Sequence, residues 1–280
     1  MRKRRHHGKP RSFAASVPPP VVNIAQARSR RESIQPNRKP GIFVAVPSVD
    51  GRTNYTIALT FARAMASDAT DTCPFRFGVH VEPSKRPVDF ARNEIVRAFM
   101  HNTDADWLIM IDDDQMVPEN FWMLCTVRDA DIVSGLTPVW VAGMDAEAFL
   151  RVNSYGVNAK QQCYNLLPPP DEVQQPYRVP IVGTGCIAIR RRVFAPRPAG
   201  LGLSPFYFTY REDRKVVGGE DINFAVEANK AGFVVAVHPQ VRFDHNKNIP
   251  LWQVESYYRA RKAMEISGRQ TTDEQRLSIG

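Results

Sequence analysis

Three consecutive carboxylates, Asp112-Asp113-Asp114, follow directly on the apolar run Trp107–Ile111. Like charges this close repel one another, and a divalent cation resolves the conflict. Oxygen ligands of this kind suit Mg²⁺ or Mn²⁺, which keep phosphate and water as their other ligands. In an extended segment alternate residues share a face, so Asp112 and Asp114 are expected to point together while Asp113 points away. The plainer alternative is a solvated acidic turn ahead of Pro118. A second constellation, Gly218-Gly219-Glu220-Asp221, stands at the head of a helical pattern. Two glycines let backbone approach a ligand closely, and a carboxylate there can take a proton from an acceptor hydroxyl. Asp221 can equally be a helix N-cap. A third, Phe243-Asp244-His245, offers an imidazole to a cation, with Lys247 available for phosphate. A fourth, Asp89-Phe90-Ala91-Arg92-Asn93, opens another helical pattern, and Arg92 there can pair with a diphosphate or with the acidic strand end.

These residues need elements to position them. Ile42–Val46 is a continuous apolar run stopped by Pro47, the mark of a buried strand. A polar loop, 48–53, leads to a helix over Asn54–Ser67 with Ile57, Phe61, Ala62 and Met65 at helical spacing. A strand at Phe75–Val81, a helix at Val88–Met100, a strand at Trp107–Ile111, a helix at about Glu119–Val127 begun by Pro118, and a strand at Ala130–Ser134 ended by Gly135 complete the first half. Strand and helix alternate. The expected class is therefore α/β, a mostly parallel sheet covered by helices on both faces, with ligands beyond the carboxyl ends of its strands. The second half is less regular: short strands flank Gly183-Thr184-Gly185, Leu167–Pro180 reads as a loop, and Phe206–Tyr210 as a strand. A helix over Asp221–Ala231 is closed by Gly232, a strand follows at Phe233–Val237, and an amphipathic helix is expected at Leu251–Ile266. Trp140, Tyr155 and the aromatic run at 206–210 are candidate acceptor walls, since aromatic rings stack on sugars and bases.

Taken together, the motifs resemble those of nucleotide-sugar glycosyltransferases of the GT-A fold, in particular the large inverting family 2-like group of bacterial and phage type. The resemblance runs over about 41–247. It implies a central Rossmann-like sheet with a smaller acceptor-side β region, a Mn²⁺ or Mg²⁺ cofactor and a nucleotide-sugar donor, UDP-linked by expectation. It also implies transfer of one sugar to an acceptor hydroxyl, with inversion. Ile111–Asp114 resembles the Asp-x-Asp motif, which gives Asp112, Asp114 and His245 as metal ligands and Asp112 and Asp113 as donor contacts. Pro47, Val49 and Asp50 resemble the segment that receives the nucleotide base, with Arg92 nearby. Gly218–Asp221 resembles the acceptor and base motif, which makes Asp221 the base with Glu220 beside it. Gly183, Thr184, Gly185 and Gly219, together with Trp140, fall on the acceptor side. The opening Pro47-Ser48-Val49-Asp50-Gly51 departs from the family's usual form, and no Gln-x-x-Arg-Trp element of processive synthases is present, so single transfer is implied.

Composition bounds these expectations. The chain of 280 residues carries a formal charge of +8, but residues 1–40 hold eleven Lys/Arg against Glu32 alone, which leaves the remainder near neutral. The expected organisation is a disordered basic tail over 1–40, a catalytic domain over 41–250, and a C-terminal helix and tail over 251–280. Such a tail can hold the phosphates of DNA, so a hydroxymethylated DNA base stands beside a glycan as an expected acceptor. No apolar run approaches the ~18 residues that span a bilayer. The four cysteines lack metal-site spacing and fit a reducing cytoplasm, in a bacterium or a phage-infected host. The rivals are a nucleotidyltransferase of similar sheet, against which the single Gly and single Arg of 48–53 count, and a non-enzymatic nucleic-acid-binding protein.

Overall fold

A computed structural model describes residues 38–49, 51–70, 73–83, 87–142, 148–159, 163–212, 216–246 and 259, with backbone only at 140–142, 148–150 and 216–217. Contacts divide the chain into Met1–Arg38 and Lys39–Gly280. Every helix and strand among the described residues belongs to the second unit.

The strands in chain order are β1 (Gly41–Ser48), β2 (Arg76–Pro83), β3 (Trp107–Ile111), β4 (Gln115–Met116), β5 (Ile132–Leu136), β6 (Pro138–Ala142), β7 (Ala148–Val152) and β8 (Ser154–Val157). They continue with β9 (Cys163–Asn165), β10 (Tyr177–Arg178), β11 (Ile181–Val182), β12 (Cys186–Arg190), β13 (Thr209–Tyr210), β14 (Val216–Gly218), β15 (Val235–Arg242) and β16 (Asp244–His245). The α-helices are α1 (Tyr55–Ala69), α2 (Val88–Asn102) and α3 (Glu220–Lys230).

The central seven-stranded sheet has the order β10-β15-β5-β12-β3-β1-β2. β1, β2, β3, β5 and β15 run in one direction, and β12 and β10 run against them. The fold is therefore α/β with a mostly parallel sheet, as the alternation of elements requires. Both faces are covered, which is why β1 and β3 read as unbroken apolar runs. Phe43, Ala45, Leu108 and Met110 pack on one face with Ile95, Val96 and Phe99 of α2 and Phe224 of α3. Ile42, Val44, Trp107 and Ile109 pack on the other with Ile57 and Ala64 of α1 and Phe121 and Leu124. Smaller sheets, β11-β8-β9 and the hairpin β6-β7, stand beside this body as the expected accessory β region.

Several elements differ from the sequence expectation. The segment after Pro118 is a 3₁₀ helix, Phe121–Thr126, not an α-helix. Helix α1 buries Ile57, Thr60 and Ala64, while Ala62 and Met65 lie exposed, because the stripe against the sheet follows the 57–60–64 spacing. Gly135 lies inside β5 instead of ending it. A Cβ there would come within 2.7 Å of the Phe243 ring and the Val241 carbonyl, so the chain crosses at a place only glycine allows. Phe206 is no acceptor wall. It is 1 % exposed and stacks on Phe224 at 4.5 Å. β7, β8 and β9 were not expected, since their sequences lack alternation. The helix expected over Leu251–Ile266 lies outside the described residues except for Arg259. Arg191 closes the far end of α2. Its guanidinium donates to the carbonyls of Phe99 (2.9 Å), Thr103 (2.8 Å) and Ala105 (2.6 Å), the cationic partner that a helix C-terminus favours.

Among the described residues no helix is long and apolar enough to cross a membrane. Gly135→Ala is expected to cost about 1–3 kcal/mol by overpacking against Phe243. Urea denaturation of the wild type and variant checks this; an unchanged midpoint would show that the crossing has slack.

Candidate functional site

Helix α2 carries its buried stripe through Phe99, Val96 and Ile95, and the same stripe continues to Arg92 near the helix N-terminus. Because α2 runs antiparallel to the strands it covers, Arg92 arrives at their carboxyl ends. Its side chain is buried, and its guanidinium is bound on two sides. Nη1 donates to Asp112 Oδ1 at 3.0 Å and Nη2 to Asp112 Oδ2 at 3.4 Å, while Nε donates to Glu220 Oε1 at 3.4 Å. Helix α3 repeats the device: Ala228 and Phe224 lie on its buried stripe, and Glu220 heads it. One guanidinium thus joins the end of β3 to the start of α3, and the two acidic motifs meet at one end of the sheet. Asn93, next to Arg92, pins the adjoining backbone, donating to the Phe206 carbonyl at 2.8 Å and accepting its N–H at 3.1 Å.

The segment 112–115 is a turn closed by Gln115 N–H to the Asp112 carbonyl at 3.0 Å. Alternation along an extended strand does not apply there. Asp112 accepts from Arg92 through both oxygens, and its side chain keeps about the same exposure as that of Asp114, 29 % against 31 %. Two contacts fix the turn. Asn54, the N-cap of α1, donates from Nδ2 to the carbonyls of Asp113 (3.0 Å) and Gln115 (2.7 Å) while its Oδ1 accepts the N–H of Ile57. Beneath the turn, Asp112 N–H donates to the Gly185 carbonyl at 2.9 Å, and a Cβ on Gly185 would sit 3.3 Å from the Gln115 amide.

Asp114 meets His245 through a short ribbon. β4 and β16 pair antiparallel with His245 opposite Gln115, and Asn246 N–H donates to the Asp114 carbonyl at 2.8 Å. His245 Nδ1 lies 2.7 Å from the Pro138 carbonyl. A carbonyl only accepts, so the proton sits on Nδ1. In the neutral ring the lone pair is then on Nε2, 4.0 Å from Asp114 Oδ1. Gln115 Nε2 donates to Asp114 Oδ1 at 3.4 Å, and its buried Oε1 takes no hydrogen bond among the described residues. An imidazole lone pair and a carboxylate 4.0 Å apart suit a divalent cation between them. Among the described residues no three His, Cys, Asp or Glu side chains already converge, so such an ion would take its remaining ligands from phosphate and water.

Beside the turn lies a cavity of about 220 Å³ lined by Pro47, Ser48, Val49, Val88, Ala91 and Asp112–Asp114. It opens between the carboxyl ends of β1 and β3, where the connections diverge to opposite sides of β1, the place where open α/β sheets bind ligands. Pro47, Val49, Asp112 and Asp113 therefore come together as expected. Asp50 and Lys247 lie outside the described residues, as does the side chain of Trp140. Arg92 does not line this cavity; three of its N–H groups go to Asp112 and Glu220.

On the other side of the clamp, Asp221 occupies the first turn of α3. Its N-cap is Gly219, and Asp221 Oδ1 accepts the N–H of Ile222 at 2.7 Å. A Cβ on Gly219 would lie 2.7 Å from that oxygen, so glycine there leaves room for the carboxylate. Glu220, 8 % exposed, is absorbed by Arg92 and is no free base. Gly183 and Thr184 are buried, with Gly183 N–H on the Asn153 carbonyl. They form the floor of the site and not an open acceptor surface. Burial pushes the carboxyls of Asp112 and Glu220 above the ordinary range, Arg92 pulls each back, and neighbouring carboxylates push them up again.

Sequence reasoning missed Asn54 as the anchor of the turn, although an Asn directly ahead of an apolar helical stripe is an N-cap signal. It also missed Gln115 and the Pro138 carbonyl, which carry no signal.

No family model matches the chain, and no curated protein matches it. Among solved structures it is similar to A197 from STIV, at 14 % identity and a TM-score of 0.42, over 75 % of this chain and 86 % of that one. It is similar to the catalytic domain of Drosophila β1,4-galactosyltransferase 7 in complex with xylobiose, at 15 % identity and a TM-score of 0.41, over 75 % and 71 %. It is also similar to the inositol-1-phosphate CTP transferase from T. maritima, at 9 % identity and a TM-score of 0.34, over 78 % and 95 %. Likenesses this distant assign no activity.

Two outcomes are expected from the clamp. Arg92→Met leaves the buried Glu220 and the partly exposed Asp112 without their counter-charge and should destabilise the fold by about 3 kcal/mol, read by chemical denaturation. Glu220 binds its proton more tightly folded than unfolded. Its contribution to stability is therefore full below the unfolded carboxyl value and is lost as pH rises through the raised folded one. Glu220→Gln should flatten that decline across the mildly acidic range; an identical pH–stability profile would refute the shift.

Proposed function

We propose that this chain is a divalent-cation-dependent glycosyltransferase that moves one sugar from a nucleoside-diphosphate donor to an acceptor hydroxyl. The observation that carries the reading is the Arg92 clamp, which brings the Asp112–Asp114 turn and the Glu220–Asp221 pair to one end of the sheet, beside the cavity between β1 and β3. The motif resemblance to the GT-A fold supports the same assignment.

The nucleotide end of the donor would lie along Pro47 and Val49, with its diphosphate toward Asp113 and Asp114. Three carboxylates repel a diphosphate unless a cation stands between them. Asp114 and His245 would hold that cation, Mn²⁺ or Mg²⁺, which when bound supplies Lewis-acid stabilisation of the leaving diphosphate. The first turn of α2, at Val88 and Ala91, faces the same cavity and adds the positive end of a helix dipole. Asp112 keeps the turn in place through Arg92. At Asp221, Oδ1 is held by the Ile222 N–H, and the carboxylate would accept the acceptor's hydroxyl proton. The acceptor oxygen then bonds to the anomeric carbon as the bond from that carbon to the phosphate oxygen breaks, which releases a nucleoside diphosphate and inverts the centre.

A donor-hydrolysis screen over nucleotide sugars with Mn²⁺ and Mg²⁺ should release nucleoside diphosphate; no release there, with pyrophosphate formed instead from a nucleoside triphosphate and a sugar 1-phosphate, would make the chain a nucleotidyltransferase. Asp221→Asn should lower transfer by about 10²–10⁴-fold with donor binding retained. Asp114→Ala should abolish the Mn²⁺-dependent part of donor binding in calorimetry, and unchanged Mn²⁺-dependent heat would remove Asp114 from the site.

A further inference from the structure

Helix α1 is apolar on two sides. Ile57 and Ala64 pack into the core against the sheet. The opposite side meets solvent and is carbon as well. Tyr55, Leu59 and Met65 are 77 %, 45 % and 55 % exposed, and Ala58, Ala62, Ala66 and Ala69 lie exposed between and beyond them. At about 100° per residue these positions fill one unbroken arc of roughly 120°. Arg63 is the charged side chain among the exposed residues of α1; it stands at the margin of the arc and pairs with Glu119. Met116, 40 % exposed, extends the apolar surface at the helix N-terminus, where Thr56 Oγ1 reaches the Gln115 carbonyl at 3.5 Å. A helix on the surface of a globular domain normally turns charged and polar residues outward. This one turns out an apolar face, and such faces mark interaction sites.

A second, independent feature says what the face meets. Residues 1–40 hold eleven Lys/Arg against Glu32 alone. That segment enters the domain at Lys39 and Pro40, whose carbonyls accept Arg76 Nε at 3.2 Å and the Arg76 N–H at 3.0 Å. Arg76 opens β2, the strand that α1 leads into, so the basic segment joins the domain at the end of the sheet where α1 finishes. Its charge calls for a polyanion, either a nucleic acid or an anionic bilayer. The α1 arc separates the two. A nucleic acid offers phosphates and polar base edges, to which an apolar helix face with one marginal cation adds nothing. A bilayer takes both features at once, and stable attachment to a bilayer needs two such signals. A second copy of the chain would bring its own excess of positive charge, +8 against +8, which repels.

We propose that α1 and the basic segment 1–40 together hold this chain on an anionic bilayer surface, with α1 lying in the interface and its 55–69 arc turned to the lipid. At 15 residues with Arg63 within it, α1 rests on the membrane and does not cross it. Tyr55, at one end of the arc, brings the amphipathic ring that favours the headgroup level.

The test is sedimentation of the full chain with vesicles. An equimolar mixture of phosphatidylcholine and phosphatidylglycerol should bind it at low salt, and pure phosphatidylcholine should bind it at least about tenfold more weakly. Leu59→Gln/Met65→Gln changes two exposed positions, so the thermal midpoint should hold while vesicle affinity falls about tenfold or more. Replacing Arg2, Lys3, Arg4 and Arg5 by Ser should lower it by a similar factor and flatten its salt dependence. Cys73, Cys125 and Cys186 are buried and Cys163 is exposed, so a dye can be placed at will. An environment-sensitive dye on Met65→Cys, in a Cys163→Ser background, should shift to the blue on anionic vesicles, while the same dye on Cys163 of the wild type should not. No binding to anionic vesicles, full binding by the Leu59→Gln/Met65→Gln variant, or an unshifted dye at position 65 on vesicle-bound chain would each overturn the assignment. A blue shift that grows with protein concentration in the absence of lipid would overturn it in favour of a second copy.

Discussion

A buried guanidinium between the buried carboxylate of Glu220 and the partly exposed one of Asp112 is the constraint on which the site depends. Each of the three groups alone would be costly to take out of water, and together they are tolerable because the forks of Arg92 satisfy Asp112 on two sides and Glu220 on a third. The geometry follows from helix direction. α2 and α3 both present an apolar stripe to the sheet, and both place a charged residue at the head of that stripe, where the helix reaches the strands' carboxyl ends. The core thus delivers the charges to one place and holds them there.

Around this pair the remaining acids divide their tasks. Asp112 and Glu220 are tied to Arg92, while Asp113 and Asp114 line the cavity with Asp112 and Asp221 sits in the first turn of α3. Asn54 adds a third fixation, tying the turn to the start of α1 by two backbone carbonyls. Gly185 adds a fourth from below, where the absence of a side chain lets β12's entry pass close to the turn.

Much of this was legible in the residues. The unbroken apolar runs at 42–46 and 107–111 announced strands buried on both faces, and the carboxylates after the second were where ligands of such sheets bind. Arg92 was legible as a partner for the acidic strand end, but nothing local distinguished that role from phosphate binding, since both offer the same negative charge. Asp112 begins a segment that turns, where strand alternation has no hold. The role of Glu220 was hidden because its partner lies 128 positions away. The hairpin β8–β9 escapes for a related reason: Ser-Tyr-Gly-Val and Cys-Tyr-Asn put polar and apolar residues on both faces, and periodicity has nothing to detect.

The β4–β16 ribbon joins Gln115 to His245, and so brings the end of the described domain against its middle. All seven strands of the central sheet precede His245 in the chain. Only Phe243 and Asp244 separate the end of β15 from the imidazole, so His245 is brought to the site by the last strand to join the sheet. The approach of His245 to Asp114 thus exists only where the whole sheet lying between them in the chain has formed.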